Sequence, residues 1–252
     1  MPDTATTAPA PSDATGRTGD PGRAFGAVAL LLGVAAILFA AGILVGFVVV
    51  GRHGGGPIQG WDDTVNRWYV AHRGPLVGIS KFIATWLDAL PLGILCVVLS
   101  IVLGWRWRTP RALIPAVAYF GGEFQVFVIR AVILRHRPPT ADYPAPGAVP
   151  GVHETSYSFP SGHSVAVTAV LFGLLGCLAL TRHTWWPWVV ALVGSLFVVD
   201  TRLVLGVHWF SDVVLGLLLG IAWGVTVAVA ARRVEWADCR AALGWRPGRS
   251  SV

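Results

Sequence analysis

Charge is scarce in this sequence. Only 13% of its 252 residues are Asp, Glu, Lys or Arg, against roughly 25% in a water-soluble domain. Hydrophobic residues make up 54%, and mean hydropathy is +0.65. That balance leaves too little polar surface to cover a soluble globule, so a membrane protein is the leading class. Cysteine is scarce as well. Cys96 and Cys177 fall inside apolar runs, Cys239 lies near the C-terminus, and no CxxC pair occurs. The spacing supports neither a disulfide framework nor a structural zinc. An internal repeat is also missing. The net charge of +6 would point to nucleic acid in a soluble protein. In a chain this apolar it is read instead through the side of the membrane each basic residue occupies, and no nucleic-acid partner is expected.

What the chain does have is long apolar runs and 12 tryptophans, a residue that favours membrane interfaces. Residues 1–22 are rich in Ala, Thr, Pro, Asp and Gly with no apolar period and read as a disordered tail. The apolar run that follows is too long for the core of a secretory signal. Six hydrophobic stretches come next, at 24–50, 82–103, 112–134, 164–180, 186–205 and 213–230. Each approaches or exceeds the roughly 20 residues a helix needs to cross the hydrocarbon. Pro91 and Pro115 belong near helix starts or at tolerated kinks. The predicted architecture is all-α: a disordered cytoplasmic tail (1–22), a six-helix membrane domain (23–235) and a cytoplasmic C-terminal tail (236–252).

Lys and Arg set the orientation. With the N-terminus inside, Arg106, Arg108, Arg111, Arg182, Arg232, Arg233 and Arg240 fall on the inner side, and the basic residues there outnumber those outside. The positive-inside bias predicts both termini in the cytoplasm of a plasma-membrane protein. The first outer loop, about 51–81, carries Trp61, Trp68, Tyr69 and charged residues, and an amphipathic helix lying on the outer surface is expected there. The second outer loop, about 135–160, is Pro-rich.

Polar residues cluster at the outer ends of the third to sixth helices. Arg130 and Arg137 are seven apart, so a continuing helix would put them on one face until Pro138 and Pro139 end it. Phe159-Pro160-Ser161-Gly162-His163-Ser164 opens the fourth helix. Thr201-Arg202 closes the fifth, and His208 and Asp212 open the sixth. Alternating helix direction brings these segments to one membrane face, where costly ionisable groups mark function. The group suits phosphoryl transfer. Three arginines offer forked, permanent charges to phosphate oxygens, and the Ser161-Gly162 helix start offers free N–H groups to an anion. Of two histidines, one can attack phosphorus and the other protonate the leaving oxygen. Asp212, one turn after His208, could fix that imidazole's tautomer and stabilise its charge. Spacing alone does not say which histidine is the nucleophile.

Arg130-x6-Arg137-Pro138, Pro160-Ser161-Gly162-His163 and Thr201-Arg202-x5-His208-x3-Asp212 together resemble the signature of the type 2 phosphatidic acid phosphatase (PAP2) superfamily. Its patterns are K-x6-R-P, P-S-G-H and S-R-x5-H-x3-D. The motifs cover 130–212, and the helix layout extends the resemblance to about 24–235. The resemblance implies a PAP2/haloperoxidase-like helical core and a lipid phosphatase. His208 would form a phosphohistidine, His163 would be the general acid, and Asp212 would orient His208. Arg130, Arg137 and Arg202, with Ser161 and the Gly162 N–H, would hold the phosphate. No metal or other cofactor is implied. Two positions depart from the pattern: Arg130 puts a planar fork where the family has a lysine point charge, and Thr201 keeps the hydroxyl of the usual Ser.

Other polar residues have plainer readings. Arg135 and His136 are expected at a solvated loop end. His53, His72, His153 and His183 are expected at the surface. Glu154 is expected to be a loop acid, with headgroup sensing or a proton relay as the sharper alternative. Glu123, seven before Arg130, is expected in an ion pair or hydrogen-bond network, and Asp88 near the outer interface. Asp200 is a possible partner for a motif arginine. Glycines 173, 176, 194, 206, 216, 220 and 224 are read as helix-packing positions. The expected substrate is a polyprenyl (undecaprenyl- or decaprenyl-type) diphosphate, with phosphatidate or phosphatidylglycerol phosphate second. A vanadate-dependent haloperoxidase and a non-catalytic lipid transporter or scaffold are the competing readings. The sequence makes no statement about oligomeric state.

Overall fold

The computed structural model describes residues 19–243. Most of the expected N-terminal tail and positions 244–252 lie outside the described residues. The helices are α1 (Pro21–Val45), α2 (Gln59–His72), α3 (Val77–Trp86), α4 (Ala89–Trp107), α5 (Ile114–Ile133), α6 (Gly162–Arg182), α7 (Trp186–Val204), α8 (Phe210–Arg233) and α9 (Trp236–Ala242). No strand occurs among the described residues, apart from an isolated bridge between Asp142 and His153. Among the described residues, six helical segments are long and apolar enough to cross a membrane: Pro21–Val50, Ala89–Arg106, Pro110–Ile133, Gly162–Arg182, Trp186–Val204 and Phe210–Arg233. They answer the six apolar stretches one for one.

Local chemistry sets the helix ends. Asp20 caps α1 by accepting from the Gly22 N–H at 2.9 Å, with Pro21 in the first helical position, where its missing N–H costs nothing. The second stretch does not start at 82 as expected. The chain breaks at Leu87 and Asp88, and Asp88 is extended (φ −64°, ψ 162°) as the cap of α4. Pro91 then falls in the first turn of α4, where it displaces no helical hydrogen bond. α2 and α3 fill the first loop. α2 leaves Trp61 and Trp68 exposed and buries Asp62. The segment expected to be C-terminal tail instead begins with α9, whose Asp238 accepts from the Asp20 N–H at 2.7 Å and ties it to the start of α1.

The expected continuous helix through Arg130 and Arg137 is also broken. α5 ends at Ile133, and Leu134 takes a left-handed conformation (φ 55°). Pro138 disfavours helix at the preceding residue, and Arg135 is drawn into a buried cluster described below. Arg137 therefore reaches the site from an extended segment rather than from the α5 face.

The core is the α6–α8 pair. Along α8, a Cβ on Gly216 would meet Ser161 O at 2.9 Å, one on Gly220 Val165 O at 2.7 Å, and one on Gly224 Ala169 O at 2.5 Å. The four-residue stripe of glycines lets the two backbones touch, as expected of membrane helix pairs. α6 is the most enclosed span, with 67% of its apolar window buried, whereas α1 has 6% and exposes Leu32, Ile37 and Leu44. The close approach locks together the starts of α6 and α8, which carry both motif histidines. Gly220→Leu, which forces a side chain into the α6 backbone, is expected to lower stability by about 1–3 kcal/mol. Gly33→Leu, at a position with open space around it, is expected to leave the thermal unfolding midpoint in detergent unchanged.

Candidate active site

The ends of α5 and α7 and the starts of α4, α6 and α8 meet at one end of the bundle. A cavity of about 150 Å³ there is lined by Asp88, Glu123, Arg130, Arg137, Glu154, Gly162, His163 and His208, among others. A second, about 330 Å³, shares Asp88, Glu154 and His163 with it and adds Lys81, His153 and Arg202. His163 and Glu154 thus stand between an inner chamber, with Leu87, Leu92 and Ala166 on its wall, and a polar outer one.

His208 is 1% exposed. Arg137 Nη1 lies 3.1 Å from its Nε2. A guanidinium has only donors, so Nε2 accepts and the ring proton sits on Nδ1. Burial, and then the positive charge of Arg137, push the His208 imidazole well below its ordinary pKa, and the ring rests neutral. A neutral imidazole with a lone pair at Nε2 is what a nitrogen nucleophile requires. On the Nδ1 side, Ser158 Oγ is 3.3 Å away and Asp212 Oδ2 is 3.5 Å away. The direct carboxylate contact expected from the four-residue spacing is therefore long. Ser158 hydrogen-bonds Asp212 Oδ2 as well, so hydroxyl and carboxylate together face the ring. The carboxylate also caps α8 by accepting from the Trp209 N–H at 2.9 Å.

The arginines converge as expected. Arg137 also donates to Val207 O at 2.7 Å and to Ser156 O at 2.8 Å. Burial pushes its pKa down, though not far enough to discharge a guanidinium. Arg202 is almost fully buried, with Nε and Nη1 unpartnered. Orphaned buried donors need an acceptor, and a bound anion would supply one. Arg130 donates to Pro160 O at 3.1 Å. Its Nη2 and Glu123 Oε1 both face Gly162, 3.4 and 3.6 Å from where a Cβ would stand. His163 places Nε2 3.3 Å from Ala84 O and 3.9 Å from Asp88 Oδ1, so Asp88 sits at this end of the bundle as expected. Ser161 caps α6, but its N–H donates to Asp212 O at 3.1 Å and its hydroxyl accepts from Ser164 at 3.0 Å. The α6 N-terminus therefore faces the cavity through Gly162 and His163, and the Ser161 hydroxyl points elsewhere.

Three plain readings are corrected. Glu154 is a loop residue but not a solvated one: its carboxylate bridges Arg137 at 3.1 Å and Arg202 at 2.9 Å. It occupies the arginines as an anionic ligand would. Arg135 is not at a solvated loop end. It is fully buried, 2.6 Å from both Asp62 and Asp212. Asp200 accepts from the Tyr69 hydroxyl at 2.7 Å rather than from a motif arginine. Sequence reasoning missed Ser158 and Asp62 altogether. Scarcity was the available signal for Arg135 and Asp62, since a charge in so apolar a chain needs a partner.

A bundle of apolar spans that gathers three arginines and two histidines at one end, around two adjoining cavities, has the make-up of an integral membrane protein. Residues 111–236, half of the chain, match the model described as the PAP2 superfamily, and the chain belongs to that superfamily. It is 39% identical over 66 residues to an undecaprenyl-diphosphatase of Sulfolobus acidocaldarius, a match covering 26% of this chain and 30% of the relative. It is 37% identical over 81 residues to phosphatidylglycerophosphatase B of Bacillus subtilis, covering 30% and 40%. To a decaprenylphosphoryl-5-phosphoribose phosphatase of Mycobacterium tuberculosis it is 33% identical over 120 residues, covering 48% and 61%. The matches thus span less than two thirds of each curated relative. Among solved structures, a transmembrane PAP2-type phosphatidylglycerolphosphate phosphatase from Bacillus subtilis aligns with a TM-score of 0.57 at 26% identity, covering 82% of this chain and 94% of that one.

The Glu154 bridge generates a prediction. Glu154→Gln removes the carboxylate that competes for Arg137 and Arg202. Inorganic phosphate is then expected to bind about tenfold more tightly, equivalent to roughly 1.4 kcal/mol, as measured by calorimetry in detergent. Unchanged or weaker binding would mean that the bridge does not compete with the anion.

Proposed function

We propose that this protein is a lipid phosphatase that works through a phosphohistidine at His208, without a metal ion, at the extracytoplasmic face. The carrying observation is the 3.1 Å contact between His208 Nε2 and Arg137 Nη1, which places that ring nitrogen within the arginine cluster. A phosphate held by Arg130, Arg137, Arg202 and the Gly162 N–H would take Glu154's place on the arginines. The Nε2 lone pair attacks phosphorus, the bond from phosphorus to the leaving oxygen breaks, and His163 gives that oxygen a proton. Water then attacks the phosphohistidine, His163 takes its proton back, and inorganic phosphate leaves with the Nε2 lone pair restored. The arginine charges offset the charge that develops on the phosphoryl oxygens. Sidedness rests on the basic residues gathered at the opposite end of the bundle, Arg106, Arg108, Arg111, Arg182, Arg232 and Arg233.

A polyprenyl diphosphate is the first choice of substrate. The outer chamber sets Lys81 and Arg202 beside Glu154 and His163, and this paired positive charge suits a second phosphate. Phosphatidylglycerol phosphate is the alternative, because its phosphodiester and single free glycerol hydroxyl also suit a polar chamber. Phosphatidate, with one phosphate and no polar headgroup, uses that chamber least. The named activities of the undecaprenyl-diphosphatase and the phosphatidylglycerophosphatase relatives support the same two choices.

Purified protein in detergent with EDTA is expected to release phosphate from undecaprenyl diphosphate faster than from phosphatidylglycerol phosphate, and fastest relative to phosphatidate. His208→Ala is expected to lose at least about a thousandfold in kcat/KM. Equal activity in that variant would sink the mechanism, and dependence on a divalent cation would sink its metal-free chemistry. The pH profile offers a separate check. A lowered His208 pKa keeps the neutral nucleophile present into acid, so the acid limb of kcat/KM is expected below the ordinary imidazole value of about 6.5. A limb at or above that value would contradict the assignment.

A further inference from the structure

Asp212 is not free to serve His208 alone. Arg135 Nη1 donates to Asp212 Oδ1 at 2.6 Å and to Ser211 Oγ at 2.8 Å, while Nη2 donates to Asp62 Oδ2 at 2.6 Å and to Gln59 Oε1 at 3.0 Å. Asp62 in turn accepts from the Ser211 N–H at 2.9 Å and the Ser211 hydroxyl at 2.6 Å. The guanidinium lies over the Trp209 ring, 5.3 Å from its centroid. The Arg135, Asp62 and Asp212 side chains are at most 1% exposed. Asp62 comes from α2, outside every motif that carried the family resemblance.

The charges do not cancel. One guanidinium serves two carboxylates, and the cluster carries one net negative charge away from water. An uncompensated buried charge is costly, and a second carboxylate is not needed to neutralise Arg135. Arg137 and Arg130 offset part of this charge from the other side of His208, and a positive group that forms beside Asp212 is stabilised by the rest. His208 is that group: when Nε2 bonds to phosphorus, the ring keeps its Nδ1 proton and becomes cationic, 3.5 Å from Asp212 Oδ2. Without Asp62, Arg135 would cancel Asp212 and leave the cationic ring without a counter-charge.

We propose that Asp62 and Arg135 are positioning residues for the reaction, with Asp62 restoring to Asp212 the net negative charge that stabilises cationic His208. The proposal rests on His208 being the nucleophile. It makes α2, the interfacial helix, part of the catalytic apparatus. A merely structural cluster would hold α2 against the start of α8 and leave the titration of His208 alone.

Two variants at the same guanidinium separate these cases by sign. The groups that act on His208 are Arg137 from the extended segment, Arg130 on α5, His163 on α6, Arg202 on α7 and Asp212 on α8, and neither variant changes them. Asp62→Asn keeps the shape and removes one negative charge. Neutral imidazole is then favoured, so the acid limb of kcat/KM moves to lower pH. The cationic intermediate is less stabilised, so kcat falls about tenfold while KM stays within about twofold. Gln59→Glu adds a negative charge beside Nη2, and its acid limb moves to higher pH. The assay is phosphate release from a polyprenyl diphosphate in detergent, after wild-type release has been shown to depend on His208. Absence of that dependence defeats the proposed function, whereas active variants whose limbs coincide with wild type defeat only this inference. Should Asp62→Asn fail to fold, the Gln59→Glu limb decides alone: an upward shift supports the inference, and no shift or a downward one overturns it.

Discussion

Burying charge at one end of an apolar bundle is the constraint on which the rest of this structure depends. Arg135, Arg202, His208, Asp62 and Asp212 are all almost completely removed from water, where a lone charge costs several kcal/mol. The fold meets that cost by pairing across distance. Asp62 on the interfacial helix answers Arg135 after α5. Arg135 answers Asp212 on α8, and Glu154 in the loop answers Arg202 on α7. The same bonds that keep these charges tolerable also tie together the ends of α5 and α7, the helix α2 and the start of α8. Site and fold are therefore not separable here.

The pairing leaves two deliberate imbalances. Beside the cavities, Arg202 keeps two donors unsatisfied, and Glu154 is a partly exposed partner of Arg137 and Arg202. On the other side of His208, two carboxylates share one guanidinium. Positive excess faces the place where an anion would sit, and negative excess lies behind the ring that would become cationic. Such a preset field needs little reorganisation as the reaction proceeds. The α6–α8 contact, made by glycines where side chains would clash, keeps His163 and His208 at a fixed separation while the surrounding helices face lipid.

The six spans were legible because the hydrocarbon imposes a length and a composition that a single sequence displays directly. The motif residues His163, His208, Arg130, Arg137, Arg202 and Gly162 were legible from their spacing and from alternating helix direction. Their surroundings were not. Leu134 has no glycine to advertise a left-handed turn, so the break between Arg130 and Arg137 was invisible. The partner of Arg135 lies 73 positions away at Asp62, and no local period connects the two. Glu154 sat in a Pro-rich loop with nothing to indicate that it would fold back onto two arginines. Spacing placed Asp212 near His208, at 3.5 Å, but Ser158, which stands beside both, belongs to another segment. For Arg135, Glu154 and Ser158 the missing information was a long-range polar contact rather than a local preference.

The central claim is that phosphate passes through a covalent bond to His208 Nε2. Rapid quenching of wild-type and His163→Ala protein with a 32P-labelled polyprenyl diphosphate, followed by peptide mapping, tests it most directly. The expected result is an acid-labile, alkali-stable label on the peptide containing His208, formed and lost at rates that match turnover in the wild type. Label on any other residue, or turnover with no labelled protein at any time, would contradict it.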